Sequence, residues 1–184
     1  MDLRNNSTAN QSLRNDNSSA THIKFYGTEN SKIYGTGSFG RLGDFVLEKD
    51  GGLADSLFIQ SSNFALATDT TLNYLFNLKS GFLVYNLTEN IYLSTNGNDL
   101  NMGSNTGINI LNGSIRTRAS LTTNFNSIIN LNGGDLFVGD GLDEGFYYNT
   151  GTTLKIVNGN IWFYLQKFLL IYIVKSLFSY PVTC

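Results

Sequence analysis

The feature that most constrains this sequence is a set of Asn-Gly pairs that each stand between two short runs of alternating apolar residues. The clearest runs are "INILNGSIRTRAS", "IINLNGGDLFVGD" and "LKIVNGNIWF", and the pairs fall at 96–97, 112–113, 132–133 and 158–159. Alternation of apolar and polar residues is typical of half-buried strands, and Asn-Gly favours the positive φ of tight turns. Each unit therefore predicts two short strands joined by a hairpin turn or a tight corner.

The spacing of these pairs is irregular, which indicates a degenerate repeat and not a solenoid of fixed period. Units this short cannot bury two faces alone. We therefore expect them to stack on one another, or on the same units of other chains.

Composition divides the chain into four regions. Residues 1–22 are mostly Asn, Ser, Thr and Gln and predict a flexible or partner-ordered polar arm, whereas residues 23–90 predict a β-rich region. Residues 91–160 hold the degenerate Asn-Gly strand repeats, and residues 161–184 form an apolar C-terminal tail. Strands are favoured throughout; a helix over about residues 64–78 is an alternative, although several Thr residues there disfavour it.

The overall composition favours an all-β protein. Only 14% of the residues are charged, and 19 glycines accompany 13 phenylalanines and ten tyrosines, which suits many turns and short strands. We therefore expect an elongated β-structure with fibre-like or β-helix-like stacking. A net charge of -2 gives no basic field, so no nucleic-acid partner is expected. The only cysteine is Cys184, which excludes an internal disulfide.

The tail "IWFYLQKFLLIYIVKSLFSYPVTC" contains no Gly, Asn, Asp or Glu. Lys167 and Lys175 interrupt its apolar run, which argues against membrane contact by residues 161–182 without excluding it. The favoured alternative is a buried terminal strand or helix. A third interpretation is that the reading frame departs here from the ancestral one, because Phe, Ile, Leu, Tyr and Lys are what A+T-rich codons encode.

The segment "LNGGDLFVGDGLDEG" is the densest group of acids and glycines, with Asp135, Asp140, Asp143 and Glu144. It is similar to one turn of a glycine- and aspartate-rich calcium-binding repeat. A single copy cannot hold an ion between successive turns, so we favour strand-connecting turns in which Asp side chains cap backbone amides. No metal and no other cofactor is expected.

Catalysis has little support in the sequence. His22 is the only histidine and lies at the edge of the polar arm, so a Ser-His-Asp arrangement is not expected. Paired carboxylates can hydrolyse glycosides, but the spacing of the acids does not distinguish catalytic groups from turn residues. We therefore expect no enzymatic activity.

Ligand contact is a further possibility in "GFYYNTG", because aromatic rings stack on sugars and amides bond their hydroxyl groups. The favoured alternative is that these aromatic rings pack in the strand core. The candidate ligand-contacting residues are Asp140, Asp143, Glu144, Tyr147, Tyr148 and Asn149.

The stretches "NIYLSTNGNDLNMGSNTGINILNGSI", "SIINLNGGDLFVGDG" and "TTLKIVNGNI" give residues 87–160 a texture that resembles bacteriophage tail-fibre and related virion-fibre shafts. The resemblance implies a homotrimer whose chains wrap or stack into a β-structured rod. It also implies that the polar arm attaches to other virion proteins and that the far end contacts the host surface, including its glycans.

We accordingly expect a structural or adhesion component of a virion fibre, located in the virion. One alternative is a carbohydrate-active or carbohydrate-binding β-helix protein. A second is a fragment of a bacterial adhesin at the cell surface.

Overall fold

The chain coils into a parallel β-solenoid of about five turns. A computed structural model describes residues 2–6, 23–37, 39–42, 45–61, 64–66, 76–94, 99–140, 144–165 and 168–172. Within these ranges the only helical element is a single 3₁₀ turn at Gly52–Ala54. The prediction of an all-β fold with β-helix-like stacking is confirmed.

The strands follow one another closely along the sequence. In chain order they are β1 (Leu3–Arg4), β2 (Ile23–Gly27), β3 (Ser31–Tyr34), β4 (Phe39–Leu42), β5 (Phe45–Lys49), β6 (Ser56–Ile59), β7 (Phe64–Leu66), β8 (Phe76–Tyr92), β9 (Leu100–Asn101), β10 (Thr106–Arg116), β11 (Leu121–Thr122), β12 (Ile128–Leu131), β13 (Asp135–Val138), β14 (Phe146–Tyr147), β15 (Thr153–Ile156), β16 (Ile161–Leu165) and β17 (Phe168–Tyr172).

Each turn of the solenoid contributes a strand to each of three faces. The first face consists of β2, β5, the start of β8, β9, β11 and β14. The second consists of β3, β6, the middle of β8, the start of β10, β12 and β15, with β1 beside β3. The third consists of β4, β7, the ends of β8 and β10, β13 and β16. Paired strands are parallel except for β17, which pairs antiparallel with β16.

The turns differ in length although their strands stay in register. On the second face the inward residues Leu57, Leu83, Ile108, Ile129 and Leu154 stack in one column, at separations of 26, 25, 21 and 25 residues. Loops between the faces absorb the differences, whereas the strands cannot shift by one residue without turning their apolar side chains outward. This is why the sequence repeat has no fixed period.

The Asn-Gly pairs are corners between the second and third faces. The pair at 112–113 bends β10, so that one half of β10 pairs with β12 and the other half with β13. The pairs at 132–133 and 158–159 separate β12 from β13 and β15 from β16. In none of these three cases do the flanking strands pair with each other, so the corner alternative is confirmed and the hairpin alternative is wrong. The pair at 96–97 lies outside the described residues.

The core is filled from all three faces by alternate side chains. In β5, β12 and β13 every second residue is buried. On the first face the rings of Phe25 and Phe45 stack at 6.3 Å, and those of Phe45 and Phe76 at 5.3 Å. Tyr85 is fully buried, and its hydroxyl group donates to the Glu89 carbonyl at 2.8 Å. A single turn has no interior, so this burial exists only between neighbouring turns.

A buried lysine ties the first turn to the second. Lys49 is 2% exposed, and its Nζ donates to the Glu29 carbonyl at 2.6 Å and to Ser31 Oγ at 2.7 Å. Burial lowers the pKa of Lys49, and the negative charge of Asp55 partly opposes that shift. These acceptors satisfy a cation that would otherwise be costly to remove from water.

Where they are described, the predicted arm, β-rich region and repeat region belong to one continuous stack of turns. Residues 2–6 of the polar arm contribute β1 to the second face, and residues 7–22 lie outside the described part. Strand β8 runs across the expected boundary between residues 90 and 91. The helix alternative near 64–78 does not hold where the chain is described, because β7 and the start of β8 are strands.

The C-terminal apolar segment is strand where it is described. Strands β16 and β17 pair with each other, which confirms the strand alternative for residues 161–165 and 168–172, whereas 173–184 lie outside the described part. None of the helical structure in the described ranges is long or apolar enough to cross a membrane.

The corner at Gly113 provides a test of the fold. Gly113 has a φ of 65°, and a Cβ there would lie 2.5 Å from the Glu89 carbonyl oxygen and closer still to that of Leu87. We expect Gly113→Ala to lower the free energy of unfolding by about 2 kcal/mol or more, through backbone strain and displacement of the preceding turn. Gly27→Ala is the matched control, because Gly27 has a φ of 86° but no atom near its Cβ position. Equal losses in urea denaturation would contradict this account of the corner.

Alkaline pH should test the burial of Tyr85. Burial raises the pKa of the Tyr85 hydroxyl and the charge of Glu89 raises it further, whereas an unfolded tyrosine ionises near pH ~10. Because the pKa of Tyr85 is higher in the folded state, the contribution of its neutral hydroxyl group to the free energy of unfolding is complete below about pH 10. That contribution is lost as the pH rises further. We expect Tyr85→Phe to be less stable than the wild type near neutral pH, but to lose stability less steeply above about pH 10. Parallel curves of unfolding free energy against pH would exclude the assignment.

Candidate functional site

The acids of residues 135–144 act at separate places. Asp135 is the first residue of β13, and Asp140 lies beyond the last one. Because strand residues advance about 3.3 Å each, these two acids lie at opposite ends of the strand. Asp143 lies outside the described residues. Within the part of the chain that the structure describes, no three His, Cys, Asp or Glu side chains are grouped as metal ligands.

Asp135 braces the last corner of the stack. Its Oδ1 accepts from the backbone N–H and from the side-chain Nδ2 of Asn160, both at 2.9 Å. Its Oδ2 accepts from Trp162 Nε1 at 3.0 Å. Both carboxylate oxygens therefore join β13 to the following turn, which confirms for Asp135 the prediction that these acids cap turn amides.

Asp140, Glu144 and Arg118 form a small charged group. The Asp140 backbone N–H donates to Glu144 Oε2 at 2.5 Å. Arg118 Nη1 lies 3.8 Å from Asp140 Oδ2. Burial and the neighbouring Glu144 raise the pKa of Asp140, and Arg118 opposes that shift. Of the predicted acids, these two alone are brought together in the described residues.

The predicted aromatic candidates are exposed. The exposed fractions of Tyr147 and Tyr148 are 57% and 62%, so the alternative that placed these rings in the core is wrong. Phe146 instead contacts the core. Asn149 is also exposed, and its backbone N–H donates to Thr123 Oγ1 at 3.1 Å. Surface aromatic groups at the last turn are therefore available for contact with a partner.

A second group of side chains, not predicted from the sequence, lies on the third face. The outward side chains Tyr92, Arg116, Phe137 and Trp162 lie in register across four successive turns and are each half-buried; we call them the third-face row. The Arg116 guanidinium carbon lies 4.0 Å from the Phe137 ring centroid. The rings of Phe137 and Trp162 stack at 5.7 Å with an interplanar angle of 9°.

A repeated tripeptide could have identified this row. Each third-face strand in these turns reads as a polar residue, an aliphatic residue and then an aromatic residue or Arg: "NIY", "SIR", "DLF" and "NIW". The last three follow directly after an Asn-Gly corner, or one residue after it in "NGGDLF". The aliphatic residue points inward, so the third residue of each tripeptide must point outward.

The hydrogen bonds of Asp135 give a prediction for this region. Replacing Asp135 with Ala removes one acceptor group from Asn160 and Trp162, so we expect a loss of about 2–3 kcal/mol of unfolding free energy and a changed Trp162 emission spectrum. Asp50→Ala removes the same charge from an exposed position and should change stability by less than about 0.5 kcal/mol. An unchanged melting temperature for Asp135→Ala would contradict the bracing role.

No family model, curated protein or solved structure matches this chain.

Proposed function

We propose that this protein is a structural and adhesive component of a virion fibre that attaches through side chains on the outside of its β-solenoid. The observation that carries the proposal is the third-face row, which repeats in register over four turns. A stack of turns presents the same outward position at each level, about 4.8 Å apart. Such a surface suits repeated, weak contacts along the length of a partner better than enclosure of one small molecule.

The polarity of the stack supports the same function. The polar arm meets the solenoid at its first turn, because Leu3 and Arg4 pair with β3. Tyr147 and Tyr148 are exposed on the last turn. Attachment of the arm to other virion proteins would therefore leave the opposite end free to contact the host surface.

A homotrimer is part of the proposal. Val157 and Leu154 on the last turn are 64% and 40% exposed, and within the described residues β15 pairs on one edge only, with β12. Leu154 occupies an inward position in its column yet is not buried. Burial of these groups against neighbouring chains would remove exposed apolar surface from water.

A carbohydrate-active protein is the second candidate, and one observation favours it. Asp140 lies beside Glu144 and has a raised pKa, which is a property of general acids in glycoside hydrolysis. A polysaccharide cut by the wild type and left intact by Asp140→Asn would replace the adhesive proposal with this one.

Oligomeric state and cell binding test the adhesive proposal together. We expect the 184-residue chain to sediment as a trimer of 20.3 kDa subunits and to resist dissociation in mild detergent. Fluorescently labelled protein should bind whole bacterial cells in a panel of species, as measured by flow cytometry. A monomer that binds none of them would overturn the proposal.

A further inference from the structure

Two arginines of one turn stand on the outside of the third face between aromatic rings of the neighbouring turns. Arg116 and Arg118 point outward, and the buried Thr117 separates them. The guanidinium carbon of Arg118 lies 4.8 Å from the ring centroid of Tyr92 in the preceding turn. The guanidinium carbon of Arg116 lies 4.0 Å from the ring centroid of Phe137 in the following turn. The rings therefore hold both cations in fixed positions on the surface.

The hydrogen-bond donors of these arginines are incompletely used. The Nε atoms of Arg116 and Arg118 are buried and have no hydrogen-bond partner in the described part of the chain. No carboxylate of the described residues forms an ion pair with Arg116. Arg118 lies 3.8 Å from Asp140, which is an ion pair without a hydrogen bond. Their buried Nε atoms are closed to an acceptor from outside, so the Nη groups, which carry four of the five N–H donors of each guanidinium, are the donors that remain for one.

A planar anion is the ligand chemistry that matches these groups. A guanidinium fork donates two parallel hydrogen bonds to a carboxylate or a sulfate, and stacking on a ring orients the fork before binding. The pre-set orientation reduces the entropy that binding would otherwise cost. Arg116 is the stronger of the two positions, since Asp140 already opposes part of the charge of Arg118.

Hydroxyl-binding groups beside the arginines point to a sugar acid. Asn90 is exposed on the same outward side as Tyr92, two residues before it, and it hydrogen-bonds Ser114 on the next turn. An amide beside a guanidinium fork can contact hydroxyl groups while the fork contacts the acid. The net charge of -2 gives no general attraction to polyanions, so any binding must come from such a local arrangement.

We propose that Arg116, with Arg118 beside it, binds the acidic groups of a surface polysaccharide on the third face of the solenoid. Asn90 and the edges of Tyr92 and Phe137 contact the sugar around each acid. This inference rests on the proposed adhesive function and names the chemical class of its receptor.

Binding to defined polysaccharides tests the inference. The 184-residue chain is immobilised, and its binding of polygalacturonate (carboxylate), dextran sulfate (sulfate) and dextran (neutral) is measured by biolayer interferometry. We expect one or both anionic polymers to bind and dextran not to bind. Arg116→Met should weaken anionic binding by about tenfold or more, as expected for loss of a charge-assisted bidentate contact. Arg116→Lys should restore only part of it, because an ammonium group cannot form the fork.

Lys32→Met is the matched control, because it removes one positive charge from an exposed position on the second face, on the first turn. Its affinity should stay within about twofold of the wild type, since screened surface charges at a distance contribute little. Circular dichroism melting of each variant separates loss of a contact from loss of the fold. Equal weakening by Lys32→Met and Arg116→Met would overturn the site in favour of general charge attraction.

Other outcomes distinguish failure of this inference from failure of the proposed adhesive function. A protein that binds cells but neither anionic polymer would overturn the inference and leave the adhesive function standing. A protein that binds neither cells nor polymers would overturn both. If Arg116→Met dissociates the trimer and does not change polymer binding, the arginines contact a second copy of the chain, and the inference is wrong.

Discussion

The rest of this structure depends on the fixed register between successive turns. One turn of three short strands has neither an interior nor a complete set of backbone hydrogen bonds, so both come from the turns above and below it. Register is strict because a shift by one residue would turn every inward side chain outward. The column from Leu57 to Leu154 keeps this register although the separations between its members vary from 21 to 26 residues. Strands are therefore constrained, whereas the loops between faces are free to differ.

The same register builds the outer surface. Residues that stack inward as a column are flanked by residues that stack outward as a row, so a short motif repeated with each turn becomes a continuous stripe. On the third face this places Tyr92, Arg116, Phe137 and Trp162 side by side, and the arginine stacks on the Phe137 ring. Asp135 and Asn160 support the row through hydrogen bonds between turns. A surface of this kind is positioned by the core beneath it and not by loop conformation.

The acidic segment of residues 135–144 divides into two parts with different roles. Asp135 is a structural acceptor whose two oxygens are both occupied. Asp140 and Glu144 remain together beside Arg118, and Tyr147 and Tyr148 are exposed on the following turn. The charged group and the third-face row meet at Arg118, which contacts both Asp140 and Tyr92. The charged group therefore connects the third-face row to β14, which carries Tyr147 on the first face.

The sequence alone determined the all-β class and the turns at Asn-Gly, because alternation and turn chemistry are local properties of the chain. It also named Asp140, Glu144 and Tyr147 as candidates, but it favoured burial of the aromatic rings, which the structure contradicts. Only the tertiary structure decided that the corners join parallel strands of different faces, and that Tyr92, Arg116, Phe137 and Trp162 form one row. Those residues are 21 to 25 positions apart, and loops of unequal length hide their period. The tripeptide that marks each of these strands is a local pattern, whereas contacts at such separations follow from the stacking of whole turns.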